Sequence, residues 1–161
     1  VDDVQWLEPD QERAWRALKL MQMRLDGELA RQLASESGLS DADYAVLVQL
    51  TDRPEGRMRL FELARDLGWE KSRVSHQVAR MAGRALVEKQ QCPSDRRGAF
   101  VAVTDRGRAE IEAAAPGHVA AVRRLFVDPL TPAQLAAVAE AADTVLSALD
   151  GAGGGEEADN G

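Results

Sequence analysis

The chain has 161 residues, 20 Lys and Arg against 27 Asp and Glu, two His and a single Cys. One Cys excludes an internal disulfide, and three Cys and His side chains in all are too few for a four-ligand Cys/His zinc site. The longest stretch without a charged residue runs from Pro129 to Ala139, well short of the roughly 20 apolar residues of a membrane span.

In chain order, Val1-Asp2-Asp3 lacks the basic start and apolar run of a signal peptide, so a soluble, cytoplasmic protein is the expectation. Trp15, Leu18, Leu25, Leu29 and Leu33 fall mostly at helical spacing between Pro9 and Ser37. Pro9 suits a first turn and Gly38 a C-terminal stop. The result is a helix of about 27 residues, roughly 40 Å long. An amphipathic helix of that length points to a partner chain. Ser40 then reads as an N-cap, with Asp41 and Asp43 at the positive end of a helix whose buried stripe is Val46, Leu47 and Leu50. Arg53-Pro54-Glu55-Gly56 is a turn and Arg57-Met58-Arg59 a strand fragment. Leu60, Leu63, Ala64 and Leu67 form one apolar helical face. Gly68-Trp69 ends it, and a second helix follows from about Lys71 to Ala82, burying Val74, Val78 and Met81. Two short helices across a Gly-containing turn form a helix-turn-helix signature.

Leu86 to Gln91 and Ala99 to Thr104 read as strands around the polar loop Cys92-Pro93-Ser94-Asp95-Arg96-Arg97-Gly98, which makes a hairpin with a basic tip. Thr104 caps the next helix, which continues through Ile111, Ala115, Val119, Val122 and Phe126. Pro116-Gly117 is expected to kink or split it. Thr131-Pro132-Ala133-Gln134 has the form of a capping box that opens a last helix, with Leu135, Val138, Ala142, Val145 and Leu149 on one side. Gly151 to Gly161 is rich in Gly, Glu and Asp and is expected to be disordered.

Charge is partitioned along this order. Arg53 to Arg108 holds 13 Lys and Arg against 7 Asp and Glu, a net of +6, and the rest holds 7 against 20, a net of −13. A basic middle between acidic arms fits a segment that meets a polyanion. Arg73, His76, Gln77, Arg80 and Arg84 are assigned to the face of the second short helix opposite its apolar stripe. There, Arg and Gln can reach base-edge acceptors in a major groove. Ser72 and Ser75 permit close approach and phosphate contact. Arg96 and Arg97 at the hairpin tip suit a narrow minor groove. Asp95 serves either to orient a neighbouring Arg or as a simple turn residue.

The segments LFELARDLGWEKSRVSHQVARM and LVEKQQCPSDRRGAFVAVTDRGR, within residues 60 to 108, together with the order of helices, resemble the MarR family of winged-helix transcriptional regulators. The resemblance implies a mainly α fold: a winged helix-turn-helix with an α/β wing and long N- and C-terminal dimerisation helices. It places an N-terminal dimerisation helix at 1–39, a DNA-binding domain at 40–104, C-terminal dimerisation helices at 105–150 and the acidic tail at 151–161. It implies a homodimer, a repressor more often than an activator, on pseudo-palindromic double-stranded DNA. The recognition helix, about 71–82, would enter the major groove and the wing, 90–98, the minor groove. The DNA-facing set is then Ser72, Arg73, Ser75, His76, Gln77, Arg80, Asp95, Arg96 and Arg97. Two positions depart from the family pattern. Glu70 replaces a better N-cap. Ala85 stands where Gly is usual after the recognition helix, at a cost of about 1 kcal/mol if φ is positive there.

Many members of the family are released from DNA by small aromatic or phenolic ligands. Trp15, Met21, Tyr44 and Leu47 are candidate pocket residues, with plain core packing as the simpler reading. Cys92 lies near Lys89, Arg96 and Arg97, which could activate it toward oxidation, although an incidental thiol is the simpler reading. His118, with no acidic group near it in sequence, reads as structural or solvent-facing. There is no phosphate loop, nucleophile elbow or metal-spaced ligand cluster, and Glu156-Glu157 sits in the tail. No catalytic residue, metal or cofactor is therefore assigned. The alternative is a winged-helix adaptor whose basic face binds an acidic protein.

Overall fold

The computed structural model describes residues 4–90 and 99–153. It divides into two compact units, one through Ala121 and one from Val122 onward. Among the described residues, no helix is long and apolar enough to cross a membrane.

The first unit opens with α1, Pro9–Glu36. Its entry is a capping box without Ser or Thr: the Glu8 N–H donates to Gln11 Oε1 at 3.0 Å. Of its residues only Leu33 is buried, and Trp15 and Leu18 lie exposed. The long helix therefore contributes little to this unit's own core. Gly38, at φ 69°, turns the chain into α2, Asp41–Thr51. Ser40 caps α2 as its sequence indicates: its Oγ accepts from the Asp43 N–H at 3.0 Å, and Asp43 Oδ2 accepts from the Ser40 N–H at 2.9 Å.

The winged helix-turn-helix follows. β1 (Arg57–Arg59), α3 (Leu60–Leu67), α4 (Lys71–Gly83), β2 (Val87–Gln90) and β3 (Phe100–Val103) succeed one another. The sheet is antiparallel in the order β1-β3-β2, with Arg59 opposite Phe100 and Val87 opposite Val103. The strand fragment at 57–59 thus becomes the third strand of the wing sheet. One apolar core joins Leu33, Leu47, Leu50, Met58, Leu63, Val74, Val78, Met81, Leu86, Val101 and Ile111. The stripes expected on α2, α3 and α4 all point into it.

α5, Asp105–Val122, starts on Thr104, whose Oγ1 accepts from the Gly107 N–H at 2.9 Å. Of the two outcomes expected at Pro116, a split does not occur: the helical assignment runs through it. The interruption comes later, as a π-helical turn at Arg123–Val127. In the second unit α6, Pro132–Gly153, begins with the expected Thr131–Gln134 box. It continues past the boundary expected at Gly151. The remaining tail lies outside the described residues.

Candidate nucleic-acid interface

Gly68, at φ 62°, terminates α3 and redirects the chain into α4. The first residue outside α4 is Glu70, whose side chain makes no capping bond, as its chemistry suggests. Val74, Val78 and Met81 are buried, and Ser72, Arg73, His76 and Arg80 are exposed on the other side, with Ser75 half-buried between the two faces.

Gln77 is not on the exposed face. It is 2% exposed, which corrects the assignment of this side chain to DNA. The reason lies in the spacing: 74, 77, 78 and 81 form one i, i+3, i+4, i+7 stripe, so Gln77 occupies a core position despite being polar. Burial without partners would be costly, and Gln77 has partners. Its Nε2 donates to Asp43 Oδ1 at 2.7 Å, and its Oε1 accepts from Arg80 Nη2. Arg84 also turns away from the expected outer face. It donates to Asp43 Oδ2 at 2.6 Å and to the Gly38 carbonyl at 3.2 Å. Asp43, 3% exposed, therefore links α2 to α4. Burial pushes its carboxyl pKa up. The Ser40 backbone N–H, the Arg84 guanidinium and the Ser40 hydroxyl more than offset this, and the net position is below the usual aspartate range.

Sequence reasoning gave Trp69 no role beyond the turn. The Arg73 guanidinium lies over its ring, 4.1 Å from the centroid, a cation–π contact that restricts Arg73 at the start of α4. The i, i+4 spacing of the pair was the available signal. Two more cations frame the wing base. Arg57 and Arg59 sit over the Phe100 ring, at 5.2 and 4.4 Å. The wing-tip residues Cys92, Asp95, Arg96 and Arg97, assigned from sequence to the minor groove and, for Cys92, to a redox reading, lie outside the described residues.

The four candidate pocket residues do not form one site. Leu47 is fully buried in the core, Tyr44 is half-buried beside it, and Trp15 and Met21 are exposed on α1. Two open hollows on α1, one lined by Lys19, Leu20, Gln22, Met23 and Asp26 and the other by Asp10, Arg13, Ala14 and Ala17, include none of them. Tyr44 instead meets His118, with ring centroids 4.4 Å apart. Burial lowers the His118 pKa, and nearby Asp41 opposes the shift. An acidic neighbour is thus present that spacing along the chain did not reveal.

A sequence model of the MarR family matches residues 37–98. The chain is 37% identical to AbsC, a MarR family transcriptional regulator from Streptomyces coelicolor. The match covers 92% of this chain and 99% of AbsC, with a TM-score of 0.85. The chain belongs to the MarR family. This MarR-family chain is also similar to Sco3205 of Streptomyces coelicolor, a MarR family transcriptional regulator solved in complex with DNA. Identity there is 38%, coverage 89% of this chain and 94% of Sco3205, and the TM-score 0.84. CouR from Rhodococcus jostii, solved bound to p-coumaroyl-CoA, is 28% identical over 81% of this chain and 87% of CouR, with a TM-score of 0.68. No curated protein matches the chain. The protein is a MarR family transcriptional regulator with a winged-helix DNA-binding fold.

Proposed function

We propose that the protein is a homodimeric repressor of pseudo-palindromic double-stranded DNA, acting in the cytoplasm. Ser72, Arg73, His76 and Arg80 would enter the major groove, with Ser75 near a phosphate. The wing would carry Arg96 and Arg97 into the adjacent minor groove, with Asp95 orienting one of them. Two-fold symmetry would set the half-sites about one helical turn apart, roughly 34 Å. The observation that carries the reading is the division of α4: Val74, Val78 and Met81 are buried, and Ser72, Arg73, His76 and Arg80 are exposed. The relative solved with DNA supports it. The two features that face outward on α4, cations and small hydroxyl residues, are those that duplex contact requires.

Release by a small aromatic or phenolic ligand belongs to the same reading. It is supported by CouR, whose bound ligand is a phenolic thioester. The test is enrichment of duplexes from a random pool, followed by titration of the enriched and a scrambled duplex over a range of salt. Arg73→Ala is expected to weaken the enriched duplex by about 1–3 kcal/mol and to relax preference at one position of each half-site. An adaptor that binds acidic proteins would show no enriched sequence and no steep salt dependence on duplex DNA.

A further inference from the structure

We propose that Gln77 and Asp43 are positioning residues: a buried polar relay that fixes the Arg80 guanidinium on the outer face of α4 and so sharpens sequence discrimination, although neither residue reaches DNA. The inference rests on the DNA-binding reading above.

The relay has a chemically forced direction. A carboxylate only accepts and a guanidinium only donates. Gln77, placed between Asp43 Oδ1 and Arg80, must therefore turn its amide nitrogen inward and its oxygen outward, the arrangement observed. The other Asp43 oxygen is occupied by the Ser40 N–H and by Arg84, which also holds the Gly38 carbonyl. The inner end of the relay is thereby anchored to the α1–α2 corner and to the last turn of α4. Its outer end is the one exposed cation on α4 tied to the core by a buried amide. A long Arg side chain loses much rotamer freedom when it docks. Holding it beforehand removes part of that cost from binding.

Three substitutions separate this role from simple packing. Gln77→Met keeps length and an unbranched stem but releases Arg80. Arg80→Ala removes the cation. Asp43→Asn acts two steps away from it. The Asn oxygen stays with the Ser40 and Arg84 donors, its amide group faces Gln77, and Gln77 must flip to present its own NH₂ to Arg80. Each protein is titrated against the duplex enriched by the wild type and against a scrambled duplex, with thermal unfolding as a check on folding.

Gln77→Met and Arg80→Ala are each expected to lose about tenfold on the enriched duplex, the scale of one charge-assisted hydrogen bond. Each should lose less than about threefold on the scrambled one. Combined, they should lose little more than either alone. Asp43→Asn should match Gln77→Met, and should have no further effect when added to it. Independent, additive losses, equal losses on both duplexes, or unchanged discrimination in Gln77→Met would each overturn the relay while leaving the DNA reading intact. A wild type that enriches no duplex would overturn both.

Discussion

Ala85 adopts φ 58°, and among the described residues it is the non-glycine residue in the left-handed region. Its Cβ makes this conformation unfavourable where glycine pays nothing. Ala85→Gly is expected to raise the unfolding free energy by about 1 kcal/mol, less the entropy gained by the unfolded chain, and urea denaturation would measure it. The position was recognisable from sequence as a family departure, since the turn after the recognition helix favours glycine. His118 makes a second prediction. Its folded pKa is lowered by burial, so the unfolded chain takes up the proton more readily. The contribution of neutral His118 is whole above the ordinary histidine value of about 6.5 and is lost as pH falls through the folded value. The wild type should therefore lose stability on acidification relative to His118→Gln, and parallel denaturation midpoints across that range would refute the assignment. Gln77 has a polar side chain at a position whose spacing places it in the apolar stripe, and the spacing wins. A polar side chain at a core position is legible only once its partner is known, and Asp43 lies 34 positions away.

At the scale of elements, caps and stripes were the legible part. The Ser40, Thr104 and Thr131 starts, the stripe of α4 and the wing hairpin all follow from local chemistry. Pro116 does not split α5: the proline forfeits the bond its own nitrogen would make and crowds the carbonyl four residues earlier, but the ladder on either side holds the helix. The π-helical turn at 123–127 has no sequence signal of comparable strength. Gly107 shows how closely elements meet. A Cβ there would run into the Leu86 carbonyl oxygen and come within 3.1 Å of a Val103 methyl. The same carbonyl accepts from the Thr104 N–H at 3.2 Å and from Thr104 Oγ1 at 3.1 Å. Backbone cannot yield as a flexible side-chain tip can, so Gly107→Ala is expected to cost about 1–3 kcal/mol, read as a lower thermal midpoint.

Across the whole molecule, the apolar side chains that find no core are concentrated on the terminal helices. Val145, Leu146 and Leu149 of α6 are 59%, 57% and 61% exposed, and Trp15 of α1 is 55% exposed. Within α6 alone, Val145 and Leu149 are four residues apart on one side of the helix, and an exposed apolar stripe of this kind marks a protein interface. In the proposed homodimer, Val145→Asp with Leu149→Asp should shift the mass seen by light scattering toward one chain. It should also lower affinity for a two-half-site duplex by about a hundredfold or more, because the second half-site is no longer held at high effective concentration. In the sequence, the length of α1 points to a partner chain and the segregation of charge to a polyanion. The long-range polar contacts of Asp43 were not legible, since nothing local specifies them.

The Leu86 carbonyl carries a mechanical implication. The end of α4, the first strand of the hairpin and the first turn of α5 are riveted together within four residues, since Thr104 Oγ1 also donates to the Ala85 carbonyl at 2.7 Å. A tilt of α5 cannot be absorbed there by a soft linker. It must move the start of β2 and the tail of α4 together, and it carries with it Ile111, which α5 contributes to the apolar core.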